Sequence, residues 1–202
     1  MLQQEISFTL IGVSPLVMNN PMSMFGEDTG GTRKEYPPDK EAEIRTYRTA
    51  EGYLCIPVTW ARSSCLKAAS GQKAKPPHGK GMAVALRGLI AGGFFDPDDT
   101  ETFTLLGPDG NPITDYEIYT TTAIVNKARI LRHRPMIKDW MVHCHYTYFP
   151  EVVNDRNIEA CLYEAGMRCG IGDQRPSSPK SPGKYGRFKV IDFQVKEIAK
   201  AA

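Results

Sequence analysis

Hydrophobic and polar residues alternate along two stretches of this chain, and each alternation predicts a β-strand that buries one face. In the first stretch, Ile6, Phe8 and Leu10 are separated by polar residues. The second stretch extends over 136–149 and keeps a period of two through its centre. A last strand, at 185–195, is predicted near the end of the chain.

Two other segments repeat their apolar residues at helical spacing. The apolar stripes are Val58, Ala61, Cys65 and Ala68 in one segment and Ile158, Cys161, Leu162 and Ala165 in the other. They predict helices at 58–69 and 155–166. Thr59 is a suitable cap for the first helix, and Asn154 or Asp155 is suitable for the second.

The order of these elements predicts the fold class. Two strands, at 103–106 and 116–125, flank a Pro-Asp-Gly segment and predict a β-hairpin or a pair of strands. With this hairpin set aside as an insertion, the order approaches β-α-β-β-α-β, which is that of a ferredoxin-like domain. The second internal strand has to come from 53–56 or from part of 116–125.

We therefore expect one α+β, ferredoxin-like domain over residues 1–202, carrying long loop and hairpin insertions. The expected insertions are a long irregular segment at 14–52, a basic Gly/Pro loop at 71–81, and a hairpin with a basic segment at 96–135.

Composition is ordinary for a globular protein and limits where a polyanion can bind. The formal net charge of the 202 residues is only +2, so a nucleic-acid site has to come from local clusters of basic residues. The five cysteines include no CxxC pair and are expected to be reduced thiols. The chain has no long apolar run and its start lacks the features of a signal peptide, so we expect a cytoplasmic protein without a membrane span.

Basic residues cluster in several segments that contain few or no acids. The densest segment is 127–135, and Arg45 and Arg48 lie in a segment at 41–49 that the pattern leaves open between strand and short helix. The predicted phosphate contacts are Arg45, Arg48, Lys73, Lys75, Lys80, Lys127, Arg129, Arg132, His133, Arg134, Arg175, Lys180, Lys184 and Arg187. Such contacts can dominate affinity for nucleic acid. A solvated linker or a protected strand edge is the alternative interpretation of each cluster.

Two pairs of glycines, Gly170 with Gly172 and Gly183 with Gly186, bracket a loop of Pro, Ser and basic residues before the last strand. Because glycine has no side chain, its backbone can approach a ligand closely and reach positive φ. We therefore predict that these glycines lie against a polyanion. A mobile surface loop is the alternative.

This loop and the strand after it resemble the glycine-rich C-terminal motif of the RAMP superfamily, the CRISPR-associated RNA-binding proteins built on ferredoxin-like (RRM-like) folds. The matching residues are Gly170, Gly172, Arg175, Gly183, Tyr185, Gly186, Arg187, Phe188 and Val190. The strand and Ser-Pro-Leu turn at 8–16 and the strand with Ile-Pro at 53–57 are also similar to the family. Together with the helix before the glycine motif and the helix after Pro57, the three stretches cover about a third of the chain.

The resemblance implies a non-catalytic subunit that binds the backbone of a guide RNA and can contact the target strand. Such subunits assemble in repeating copies, with other effector subunits, into antiviral ribonucleoprotein complexes, and use an inserted hairpin as a thumb. The loop at 14–38 is our candidate for the interface between copies, although its apolar residues can instead pack on their own core. These residues are Met18, Met22, Met24 and Phe25. No cofactor or metal is expected.

Other functions stay open at this level. The superfamily also contains metal-independent ribonucleases that commonly use a histidine as general acid or base. The candidate histidines are His78, His133, His143 and His145. A decoy homologue encoded by a mobile element, or a single-strand-binding protein on the same fold, is a further alternative. A cation site at 96–99, or a zinc site that joins the last two histidines to Cys161 and Cys169, lacks the spacing of an established ligand set.

Overall fold

The computed structural model describes residues 2–21, 36–79, 81–125 and 128–197, and a four-stranded antiparallel sheet lies at its centre. The strands are β1 (Gln4–Gly12), β2 (Leu16–Val17), β3 (Cys55–Pro57), β4 (Lys73–Ala74), β5 (Val84–Ala85), β6 (Phe94–Phe95), β7 (Thr102–Thr104), β8 (Glu117–Val125), β9 (Ala128–Ile137), β10 (Met141–Tyr148) and β11 (Phe188–Glu197). The helices are α1 (Pro38–Glu43), α2 (Thr59–Ala68), α3 (Leu86–Gly93) and α4 (Asp155–Glu164), and a π-helical turn, Ala165–Cys169, follows α4. Helices combined with antiparallel sheets confirm the predicted α+β class.

The central sheet has the strand order β11, β1, β10, β6, and each neighbouring pair is antiparallel. Ile6, Phe8 and Leu10 are almost fully buried on one face of β1. The register places Phe8 opposite Cys144, which is buried on the same face of β10. Because successive side chains of a strand point to opposite faces, these positions confirm the alternation predicted for β1 and β10. The single strand predicted over 136–149 is wrong, because residues 138–140 lie between β9 and β10.

Helices α2 and α4 pack against each other and join the buried face of the sheet in one hydrophobic core. Asn154 caps α4, because its side chain accepts a hydrogen bond of 2.9 Å from the backbone N–H of Arg156. The cap predicted at Thr59 is wrong. Val58 already has helical backbone angles and occupies the cap position of α2, so Thr59 is the first residue of the helix. Both predicted helices are otherwise confirmed.

The strand that completes the sheet, β6, is only two residues long and pairs with the end of β10. It follows α3 without an intervening loop. The prediction that 53–56 or part of 116–125 supplies this strand is wrong, because β3 pairs with β7 and β8 pairs with β9. A strand of two aromatic residues is too short to produce an alternating pattern in the sequence.

The long hairpin consists of β8 and β9, and β2 adds two residues beside β9. The predicted pairing of 103–106 with 116–125 is therefore wrong. The Pro-Asp-Gly segment instead forms a local turn, in which the N–H of Gly110 donates to the carbonyl oxygen of Gly107 at 2.9 Å. Turn residues identify where the chain reverses, but they do not identify the partner of the next strand.

The predicted irregular segment at 14–52 contains two short elements in its described parts, β2 and α1. Met18 is fully buried in the protein's own core. For this residue, the alternative to an interface between copies is therefore confirmed. Met22, Met24 and Phe25 lie outside the described residues.

The two segments with open or irregular predictions also have defined structure. The segment at 41–49 begins in α1 and continues as a turn. The basic segment at 71–81 begins a small hairpin, in which β4 pairs with β5. Among the described residues, none of the helices has the length and apolar character needed to cross a membrane.

Candidate nucleic-acid interface

The glycine loop, residues 170–187, is tied to the body of the protein by backbone hydrogen bonds. The N–H of Ile171 donates to the carbonyl of Gly186 at 2.9 Å, and the N–H of Gly186 donates to the carbonyl of Pro15 at 2.8 Å. The N–H of Asp173 donates to the carbonyl of Val17 at 2.8 Å. These bonds attach both ends of the loop to the segment after β1, so its shape is fixed by the fold.

The glycines of this loop approach the protein's own backbone. Gly170, Gly172 and Gly186 have positive φ angles of 67°, 76° and 64°, which residues with a side chain rarely adopt. A Cβ at Gly172 would lie 2.6 Å from the carbonyl oxygen of Val17, and one at Gly186 would collide with that of Ile171. Three of the four glycines are buried, so their first requirement is the packing of the loop, whether or not a ligand is bound.

A cleft of about 480 Å³ lies between the glycine loop and α2. The lining residues are Asn19, Tyr47, Trp60, Ser63, Ser64, Lys67, Gly170, Ile171, Gly172, Asp173, Arg175, Ser177 and Pro179. One wall is therefore a helix face, and the other is loop backbone with three of the predicted contacts, Gly170, Gly172 and Arg175. The volume is within the range of about 300 to 1,000 Å³ that small-ligand sites occupy.

One hydrogen bond between the two walls and two within the loop fix the shape of the cleft. The Ser64 hydroxyl of α2 donates to the carbonyl of Gly170 at 2.9 Å. Within the loop, Arg175 Nη1 donates to the carbonyl of Gly172 at 2.7 Å, and the Ser177 hydroxyl donates to the carbonyl of Cys169 at 2.9 Å. The loop wall is thus held in place before any ligand binds.

Aromatic rings and cations occupy different parts of this cleft. Tyr47 and Trp60 make an edge-to-face contact, with ring centroids 5.4 Å apart and an angle of 85° between the planes. Burial raises the pKa of the Tyr47 phenol, which therefore stays neutral at physiological pH. Ser63 and Lys67, one and two turns further along α2, are exposed at the mouth.

The β8–β9 hairpin contacts the loop that forms this cleft. Arg134 Nε lies 2.6 Å from Asp173 Oδ2, although the angles at this contact are not those of a hydrogen bond. The Tyr119 hydroxyl donates to the side-chain oxygen of Gln174 at 3.3 Å. A hydrogen bond between Tyr119 and Tyr185, together with the partial burial of Tyr185, raises the pKa of Tyr185 to about 12. The guanidinium of Arg134, at 2.6 Å, neutralises the negative charge of the Asp173 carboxylate.

The predicted basic strand is divided between the two faces of the hairpin. Arg132 and Arg134 project from one face of β9, and Arg129 and His133 project from the other. Arg132 Nη1 lies 2.8 Å from Glu41 Oε1. The Glu41 side chain is only 8% exposed, so this pair packs against α1 and is shielded from solvent.

Arginines of the α1 region are paired in the same way. Arg45 Nη2 lies 3.0 Å from Glu41 Oε1, and its Nη1 donates to the side chain of Asn19 at 2.6 Å. Arg48 Nε donates to Glu43 at 2.7 Å, and its Nη1 donates to two backbone carbonyls. With Arg132 and Arg134, four of the predicted phosphate contacts thus have acidic partners within the protein.

The remaining predicted contacts are dispersed. Lys73 and Lys75 are on or beside β4, and Arg129 is exposed on the hairpin. The exposed part of the glycine loop contains Lys180, Gly183 and Lys184, close to the cleft residue Pro179.

Arg187 and two lysines complete the set. The backbone N–H of Arg187 donates to the Ser14 hydroxyl at 3.0 Å, and its Nε is buried without a hydrogen-bond partner in the described part of the chain. Lys80 and Lys127 lie outside the described residues.

The histidines lie apart from the cleft. His143 Nδ1 shares a hydrogen bond of 2.8 Å with the Thr9 hydroxyl, and His145 Nε2 lies 3.8 Å from Asp99. His133 Nδ1 shares a hydrogen bond of 2.8 Å with the Thr120 hydroxyl, and His78 is exposed beside the β4–β5 hairpin. Within the described ranges, no group of three or more His, Cys, Asp or Glu side chains is placed to hold a metal ion.

Among the cleft residues that the sequence interpretation missed, three lie on one face of α2: Trp60, Ser63 and Lys67. A signal for them exists, because they recur at intervals of three and four residues on the side of α2 opposite its apolar stripe. No protein-family model fits the chain, and no curated protein matches it. The geometry of the cleft therefore supplies the argument for function.

Proposed function

We propose that this protein is a non-catalytic subunit that binds single-stranded RNA, with the guide strand of a CRISPR-type ribonucleoprotein as its ligand. The observation that supports the proposal is the cleft, which places aromatic rings, a fixed backbone loop and two cations, Lys67 and Arg175, around one space. Proteins that bind single strands combine basic grooves with aromatic surfaces on which bases stack.

The order of the elements supports a ferredoxin-like domain as the scaffold. α2 lies in the chain between β1 and β6, and α4 lies between β10 and β11. The sheet order β11, β1, β10, β6 with antiparallel neighbours supports a split βαβ domain. In this proposal, β8 and β9 form the thumb, an insertion between the two halves of the domain.

The proposed mechanism is electrostatic. Lys67, Arg175, Lys180 and Lys184 neutralise successive phosphates, while Arg134 compensates Asp173 and keeps the loop from repelling the strand. Because each phosphate contact releases counterions, affinity should fall steeply as salt rises. The protein reads no sequence in this scheme, since base pairing between guide and target does so.

The proposal includes assembly in the cytoplasm, in repeating copies and with other effector subunits. Such an array needs a heterologous interface, in which one surface of a copy meets a different surface of the next. The segment at 14–38 stays our candidate for part of that interface.

The test is fluorescence anisotropy of a labelled single-stranded RNA titrated with the purified protein at several salt concentrations. We expect binding that weakens with salt, weaker binding of the matched RNA duplex, and intact RNA after incubation in EDTA. Absence of binding, or equal affinity for the duplex, would contradict the proposal. Cleavage of the RNA in EDTA would favour the ribonuclease alternative instead.

A further inference from the structure

We infer that the cleft takes one unpaired base of the bound strand, held against Trp60, with its phosphate at Lys67 and Arg175. This inference rests on the proposed RNA binding and adds the chemical group that the cleft recognises. It applies to any base, because every base has a π-face for stacking.

The side chains that α2 presents to the cleft change from aromatic to hydroxyl to ammonium along the helix axis. Trp60 lies in the first turn, Ser63 lies one turn later, and Lys67 lies after another turn. With a rise of 1.5 Å per residue, the backbone positions of Trp60 and Lys67 are about 10 Å apart along the axis. This span fits a nucleotide lying along the helix, with base, ribose and phosphate facing ring, hydroxyl and ammonium in that order.

The opposite wall supplies a second cation, Arg175. Arg175 uses Nη1 to hold the carbonyl of Gly172, and its guanidinium carries further N–H donors. Phosphate oxygens accept hydrogen bonds from such N–H groups. Ser177 and Pro179 continue the wall from Arg175.

The local charge favours an anion in the cleft. Its lining contains Lys67, Arg175 and one acid, Asp173. The carboxylate of Asp173 is 22% exposed and is compensated by Arg134, whose side chain is only 13% exposed. The cations of the lining are therefore not offset, and the carboxylate is held on the hairpin side of the loop.

The size of the cleft suits a single extruded base. The cleft of about 480 Å³ has the volume of a small-ligand site. A base inside a duplex is stacked and paired, so it can enter such a site only after unpairing, which costs free energy. The inference thus gives a physical reason for the preference for single strands.

The two tryptophans of the chain make the inference directly measurable. Trp60 lines the cleft, whereas Trp140 is 3% exposed and its indole N–H donates to the carbonyl of Ser14 at 3.0 Å. In a Trp140→Phe variant, all tryptophan fluorescence comes from Trp60. We expect a short oligoadenylate to quench this fluorescence, and an abasic strand with the same number of phosphates to bind without quenching it.

A second variant, Trp60→Ala, tests the inference in a protein that keeps the buried Trp140. Trp60→Ala should weaken binding of the oligoadenylate about five- to hundred-fold at fixed salt, and it should leave binding of the abasic strand unchanged. Circular dichroism of the variant provides the control for folding. Equal weakening of both strands would overturn the inference.

The outcomes separate this inference from the proposed function and from a free nucleotide ligand. If neither strand binds, the RNA-binding function itself fails and the inference fails with it. If both strands bind equally and Trp60 is not quenched, RNA binding stands and the inference is overturned. Adenosine monophosphate alone should quench only at far higher concentration than the oligomer, and equal affinity would show a mononucleotide site and contradict the inference.

Discussion

The face of β9 that carries Arg132 and Arg134 and the cleft with its glycine loop both contain several cations, but the partners of these cations differ. On the hairpin, Arg132 lies against Glu41 and Arg134 lies against Asp173. At the cleft, Lys67 is exposed, and Lys180 and Lys184 are exposed on the glycine loop that forms its other wall. None of these three forms an ion pair with another residue in the described parts of the chain.

The difference shows that a dense run of basic residues does not by itself locate a polyanion site. The acid that neutralises Arg132 is 91 positions earlier in the chain, where no local count of charge can include it. We infer that the hairpin arginines hold α1, β9 and the glycine loop together, and that the lysines around the cleft contact phosphates.

We expect the largest effect on the free energy of unfolding from the glycine loop, which contacts the hairpin and forms one wall of the cleft. Gly186→Ala places a Cβ against the carbonyl of Ile171 at a φ of 64°, so we expect a loss of more than about 3 kcal/mol in unfolding free energy. Gly71→Ala is the matched control, because its φ is 83° but its surroundings are open, and it should cost only about 1 kcal/mol. Urea denaturation measures both, and similar values would show that Gly186 lacks the close packing described here.

The second prediction concerns the acid that serves two arginines. Glu41→Gln leaves Arg45 and Arg132 without their carboxylate, and we expect a loss of roughly 2 to 3 kcal/mol, below the cost of breaking a fully buried ion pair. Glu43→Gln is the control, because the Glu43 side chain is 49% exposed in its pair with Arg48 and such pairs contribute less than about 1 kcal/mol. Equal urea midpoints for the two variants would contradict the structural role of Glu41.

A smaller effect should distinguish the two faces of β9. Arg132→Ala removes a contact with Glu41 at 2.8 Å and should cost about 1 to 2 kcal/mol. Arg129→Ala changes an exposed residue on the other face and should alter stability by less than about 0.5 kcal/mol. Thermal unfolding measures this difference, and the opposite ranking would show that the alternation along β9 is misassigned.

Patterns within single elements allowed much of the fold to be predicted. The buried positions of β1 and β10 follow from alternation, and Asn154 follows from the chemistry of helix caps. Pairing between distant elements was not accessible in the same way. β6 has only two residues, and the Pro-Asp-Gly turn does not indicate that β7 joins β3.

The site was predictable only in part, for a related reason. Gly170, Gly172 and Arg175 were identified by the glycine motif and do line the cleft. Trp60 and Lys67 were missed, because the apolar stripe of α2 predicts a helix without indicating which residues of its polar face line a cleft. The neutralisation of Arg134 depends on a contact with Asp173 across the fold, which no local pattern encodes.

The last predicted effect is a pH dependence at the contact between hairpin and loop, and it is confined to strongly alkaline solution. The folded protein raises the pKa of Tyr185 to about 12 through Tyr119, whereas the unfolded value is about 10. A group whose pKa is raised in the folded state contributes stability that is complete below pH 10 and is lost as pH rises toward 12. Tyr119→Phe should reduce this alkaline loss and lower the midpoint for Tyr185, which ultraviolet absorbance of tyrosinate can follow. An unchanged titration would remove Tyr119 as the cause.

The most direct test of the account is the salt dependence of single-stranded RNA binding in two variants. Replacing Lys67, Lys180 and Lys184 together by Ala should reduce the slope of log affinity against log salt by about 2, since each contact with a single strand contributes about 0.7. Arg132→Ala should leave the slope unchanged. If the triple variant keeps the wild-type slope and Arg132→Ala reduces it, then the hairpin, and not the cleft, contacts the phosphates, and the account is contradicted.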